Sequence, residues 1–143
     1  MKIKTIVVLF FSLLFSASLV LSQEKARAKT KDNIKILEVS ATAPVKDGVS
    51  NQFTVQIEYT LESEDEGMVS VGFNSDDPGS YKMSGQKKVI RGTTVLTMKA
   101  NVVPKEWKEQ GDFFIYVNLS PISPNPSGYR PFAGARKLIE FEP

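Results

Sequence analysis

The sequence predicts an all-β fold, an antiparallel two-sheet sandwich of about seven strands. Three observations carry this expectation. Apolar and polar residues alternate at period two through much of the chain, which places one strand face against a core and one in water. Turn residues separate the alternating runs at regular intervals. No run shows the 3.6-residue period of a long amphipathic helix. A small closed barrel is the alternative, because strand number alone does not separate the two architectures.

Ile34, Ile36 and Val39 start the first strand, which ends at Ala43-Pro44, and Asp47-Gly48 marks a turn. The cleanest strand follows. Phe53, Val55, Ile57, Tyr59 and Leu61 alternate with Thr54, Gln56, Glu58 and Thr60. The acidic run Glu62 to Gly67 reads as its loop. Val69, Val71 and Phe73 form the next strand, closed by the turn cluster Asn74 to Ser80. Tyr81 and Met83 start a short edge strand, and Lys87 to Arg91 runs to a turn at Gly92. Thr94, Leu96, Met98, Ala100 and Val102 alternate again, and Pro104 ends that strand. Lys105 to Gln110 fits one helical turn containing Trp107. Phe113, Ile115, Val117 and Leu119 define a sixth strand. A proline-bearing loop from Pro121 to Pro131 leads to the last strand, Gly134 to Phe141.

The chain start reads as an export signal. Lys2 and Lys4 precede an uncharged apolar run of 16 residues, Ile6 to Leu21, and small or aliphatic residues lead to Ser22. The run is short of the roughly 20 residues a spanning helix needs, so cleavage is favoured over a retained anchor. Ser22 stands where a lipid-accepting cysteine would have to be. The expected organisation is therefore a signal peptide over 1–22, a flexible charged tether over 23–33 and a β-sandwich domain over 34–143. The product is expected in the periplasm or outside the cell, with no membrane span in the mature chain.

Charge and composition exclude several function classes. The whole chain carries 18 basic and 16 acidic residues. Both signal lysines leave with the signal, so the mature chain is neutral. Its tail from Glu24 to Lys35 is basic and the remainder acidic, which opposes a nucleic-acid partner. The sequence has no cysteine and no histidine. Disulfides, serine–histidine triads, cysteine–histidine pairs and the usual zinc sites are therefore ruled out. No phosphate-binding glycine loop is present. The clustered carboxylates Glu62, Glu64, Asp65 and Glu66 fall in turn sequence, where solvent denies them the environment that glycosidase chemistry requires. We expect no enzyme and no cofactor.

The string Gln110-Gly111-Asp112-Phe113-Phe114-Ile115-Tyr116-Val117 resembles the strand entry of immunoglobulin-like and fibronectin type III-like domains. In the immunoglobulin pattern, Gly-x-Tyr-x-Cys-x-Val opens that strand, and Gly111, Phe113, Ile115 and Val117 occupy its positions. Phe113 lacks the tyrosine hydroxyl, and Ile115 replaces the disulfide cysteine. The resemblance implies the sandwich architecture of exported bacterial accessory or adhesion-type domains. Arg130-Pro131-Phe132 also resembles the Arg-Pro-aromatic loop of chagasin-like protease inhibitors, although their glycine-rich motif is absent.

Candidate ligand-binding residues are the aromatics outside the alternation. Tyr129, Arg130 and Phe132 put two rings and a guanidinium on one loop, whose prolines lower the entropy lost on binding. Trp107 and Tyr81 add two further rings, though Trp107 also suits a plug at the end of a core. Asn74, Asp76 and Asp77 supply hard oxygens for calcium, but Asx-rich turns are ordinary connectors and no EF-hand spacing is present. Lys82, Lys87, Lys88 and Arg91 read as a solvated edge that discourages aggregation. The expected function is protein–protein recognition, or a structural part of a cell-envelope or extracellular assembly. The alternative is a carbohydrate-binding module built on the loop aromatics. The partner is then a protein or glycan at the cell surface or in the periplasm.

Overall fold

Alternation at period two makes the core face of each strand a property of residue parity, and the observed burial follows that parity closely. The computed structural model describes residues 31–123 and 130–142. The expected export segment, the tether up to residue 30, and Tyr129 with the loop residues 124–128 lie outside the described residues. Among the described residues, the alternating runs form β1 (Asn33–Ala41), β2 (Asn51–Asn74), β3 (Lys82–Val102), β4 (Phe113–Ser120) and β5 (Ala133–Ile139). They build one curled antiparallel sheet in the order β1-β2-β4-β5, with β3 also paired to β2. β1 opens at Asn33, one residue ahead of the expected domain boundary.

The seven expected strand segments are carried by five strands, because two expected turns are not turns. β2 runs from Asn51 to Asn74 without a break, through the acidic stretch expected to be a loop. Its first half pairs with β1 and with the second half of β3, from Asn51↔Val102 to Leu61↔Gly92. Its second half pairs with the first half of β3, from Glu66↔Ile90, and with β4. Between the halves, Glu62 to Asp65 have only Arg91 opposite them, so β2 bulges. Gly92 lets β3 turn the same corner, at φ +127°, a value that strains any other residue.

Side chains hold the bulge. Arg91 Nε donates to Asp65 Oδ1 at 3.0 Å, and Arg91 Nη1 donates to the Glu62 carbonyl at 2.8 Å. Asp32 Oδ1 accepts from Glu62 N at 2.7 Å and Ser63 N at 3.0 Å, satisfying two donors the ladder leaves open. The corner folds β2 back over itself. Phe53 and Phe73 are on the same strand, and along a straight strand about 66 Å would separate them. Their ring centroids are 5.2 Å apart.

That contact is the centre of the core. Phe73 continues to Phe113 at 5.9 Å, and Phe113 touches Trp107 at 5.2 Å and Phe141 at 5.0 Å. Val55, Ile57, Leu61, Val69, Val71, Ile115, Val117 and Leu119 surround these rings with no exposed surface. The corner link also stitches the halves: Tyr59 donates its hydroxyl proton to the Ile90 carbonyl at 3.1 Å.

Candidate functional site

Parity that buries Phe113, Ile115, Val117 and Leu119 sends Phe114, Tyr116 and Asn118 to the opposite face of β4. The ladders align that face into rows. Asn74, Phe114 and Leu138 form one, and Gly72, Tyr116 and Arg136 the next. Ser70, Asn118 and Gly134 form a third. β3 adds Met83 beside Gly72 and Gln86 beside Ser70. The outer face of this half of the sheet thus carries two aromatic rings, a guanidinium, Met83 at 56% exposure and Leu138 at 46%.

Tyr81 joins the face from the turn ahead of β3. A methyl group placed on Gly72 would stand 2.7 Å from its hydroxyl oxygen and 2.8 to 2.9 Å from two of its ring carbons, so the phenol end of the ring lies directly on the Gly72 backbone. The turn that delivers it is built from hydrogen bonds. Asp77 Oδ1 accepts from Gly79 N at 3.0 Å, capping the 3₁₀ turn Pro78–Ser80. Ser80 Oγ accepts from Ser75 N at 2.7 Å. Two other side chains pack on their neighbours across the ladder. The Asn118 amide oxygen covers Gly134, and the Arg136 guanidinium sits 4.7 Å from the Phe114 ring centroid. A cation over an exposed ring contributes about 0.5–1 kcal/mol. The Phe114 and Tyr116 rings, 6.2 Å apart, are inclined at 59°.

Charge on the face is sparse. Glu66 is bound by Lys88 at 2.7 Å at one margin. Arg136 is exposed and has no carboxylate partner among the described residues. Asn74 Oδ1 is buried and makes no hydrogen bond among the described residues, an acceptor held in the row of Phe114 and Leu138.

The residues expected from the sequence to bind ligand are dispersed. Trp107 is 3% exposed and packs edge-on against Phe113, with its N–H of the backbone donated to Asp47 Oδ1 at 3.1 Å. Its ring belongs to the core and is out of a ligand's reach. Phe132 is half-buried against the core, while Arg130 is exposed. Among the described residues of the set, only Tyr81 reaches the aromatic face. Phe114, Tyr116 and Arg136 were missed by looking outside the alternation. The available signal lay within it, as two aromatics on the wet side of a strand.

Of the calcium candidates, Asp77 caps its own turn and Asp76 Oδ2 accepts from Asp112 N at 2.8 Å. Asn74 points its carbonyl into the sheet-face row instead. Among the described residues, no three acidic side chains gather to hold a metal ion, and no helix is long and apolar enough to cross a membrane. Surface concavities among the described residues lie elsewhere. One, of about 410 Å³, is lined by Glu64, Asp65, Glu66 and Pro121 to Ser123. Another, of about 480 Å³, lies between β1 and β5 over Val39, Phe53 and Ile139.

No family model and no curated protein matches the chain. Among solved structures, a β-glucosidase from Kluyveromyces marxianus shares 13% identity at a TM-score of 0.36, over 78% of this chain and 14% of that one. DesR, a β-glucosidase from Streptomyces venezuelae, shares 10% at 0.34, over 77% of this chain and 15% of that one. The chain spans about a seventh of the length of these enzymes, and at such scores the likeness carries no argument about function.

Proposed function

We propose that the chain is an exported, non-catalytic recognition domain that binds a protein partner through the outer face of β4, β5 and the paired halves of β2 and β3. We read its curled sheet as a two-layer, immunoglobulin-like sandwich. One layer holds β1 with the first half of β2 and the second half of β3. The other holds the remaining halves with β4 and β5. The observation that carries the function is the face of Tyr81, Tyr116, Phe114, Arg136, Met83 and Leu138. Tyr, Arg, Met and Phe are the side chains enriched in protein interfaces. The acidic corner supports a non-catalytic reading: Asp65 is engaged by Arg91 and Glu66 by Lys88, all in solvent.

A second reading, a carbohydrate-binding module, rests on the Tyr81 and Tyr116 rings beside the Asn118 amide. It competes poorly because Arg136 already covers the Phe114 ring, and the rings are inclined rather than coplanar. The two readings separate in one experiment. The immobilised full chain should retain a protein from envelope or secreted extracts and stay silent on a glycan array. Retention should fall with Tyr116→Ala and survive Val95→Ala, a control on the exposed side of the other half of the sheet. Retention unchanged by Tyr116→Ala would defeat the reading, and an array signal lost in that variant would select the glycan.

A further inference from the structure

Resting on the recognition face proposed above, we infer that its occupant is an extended, acidic segment of a partner polypeptide, with a carboxylate seated on Arg136. Size argues first. A face four strands wide and seven residues long offers about 400 Å². A stable interface takes about 800 Å² from each partner, so two copies of this chain joined here would bury no more than a packing contact. An extended segment of seven or eight residues runs about 25 Å, the length of β4.

Charge argues second. Arg136 stands at the β5 end of its row, beside Tyr116, exposed and without a carboxylate partner among the described residues. Its guanidinium is already fixed over the Phe114 ring, so little further ordering is needed to receive an anion. The one acidic residue registered on the face, Glu66, is spent on Lys88 and lies at the margin. Tyr116 and Leu138 beside it, with Tyr81 and Met83 farther across the face, offer apolar contact to residues flanking the acid. A planar, exposed guanidinium beside aromatic rings matches a carboxylate between apolar or aromatic side chains.

The probes are a random glutamate–tyrosine copolymer, polyglutamate, polylysine and polygalacturonate, presented to the immobilised full chain in interferometry. The copolymer should bind best and polylysine not at all. Arg136→Gln should weaken copolymer binding ten-fold or more, whereas Lys87→Gln, which removes an equal charge off the face, should change it less than two-fold. Unchanged binding by Arg136→Gln, or no copolymer binding at all, would overturn the inference. Tighter, Arg136-dependent binding of polygalacturonate would replace the peptide by an acidic glycan. The natural partner from the extract experiment separates the two levels. Capture lost with Tyr116→Ala but kept with Arg136→Gln leaves the face standing and removes the acid. Capture kept in both removes the face.

Discussion

Placing a methyl group at Gly72 tests the geometry of the face without touching the core. The added carbon would stand 2.7 Å from the Tyr81 hydroxyl oxygen and 2.8 to 2.9 Å from two ring carbons, inside the distance non-bonded heavy atoms tolerate there. The ring must lift by about 0.7 Å or swing away to reach an ordinary contact near 3.5 Å. Tyr81 is 43% exposed, so a little over half of it is covered by this seat and its surroundings. An aromatic side chain has roughly 200 Å² to bury, so about 110 Å² is at stake, at most ~3 kcal/mol. A partial lift forfeits about half of that. Against it, Gly→Ala inside a strand gains about 0.5–1 kcal/mol. Gly72→Ala should therefore destabilise the protein by about 1 kcal/mol. In a Tyr81→Ala background the obstacle is gone, and the same change should stabilise by about 0.5–1 kcal/mol. Urea unfolding of the four proteins in the cycle reads the sign directly. An equal loss in both backgrounds would mean that Tyr81 does not rest on Gly72, and the aromatic face would lose its edge.

Trp107→Ala should cost about 3–5 kcal/mol, a large part of total stability, through the cavity left against Phe113. As the chain's sole tryptophan, Trp107 should show blue-shifted emission that iodide barely quenches in the native state. Gly111→Ala should destabilise by about 1–3 kcal/mol, because φ is +105° and the new carbon would strike the Asp76 carboxylate. A melting temperature within a degree of wild type would contradict this. Asp32→Ala should lower stability by about 1–2 kcal/mol by orphaning the Glu62 and Ser63 N–H groups of the bulge, whereas Asp65→Ala, whose carboxylate is 90% exposed, should cost under 1 kcal/mol. Lys87→Ile should raise concentration-dependent self-association in light scattering. Its strand partner Val69 is fully buried, so Lys87 puts a charge on the core-side face of an unpaired edge.

Local chemistry determines a great deal here. Phe53 to Leu61, Leu96 to Val102 and Phe113 to Leu119 declare their buried sides by alternation alone, since successive side chains of any strand must point opposite ways. The same parity places Phe114 and Tyr116 in water, and the turn residues Asp77 and Gly79 announce the cap that precedes Tyr81. Trp107 was legible as a core plug from its place beside the sixth strand. Tertiary structure decided the rest. Glu62 to Asp65 has the composition of a loop, yet it continues a strand because Arg91 and Asp32, 29 and 30 residues from Glu62 in sequence, satisfy its open backbone groups. Lateral register is equally invisible locally: a strand's sequence states which face a residue takes but not which residue of another strand it meets. Only the ladders bring Gly72, Tyr116 and Arg136 into one row and set Tyr81 on the bare backbone at its end.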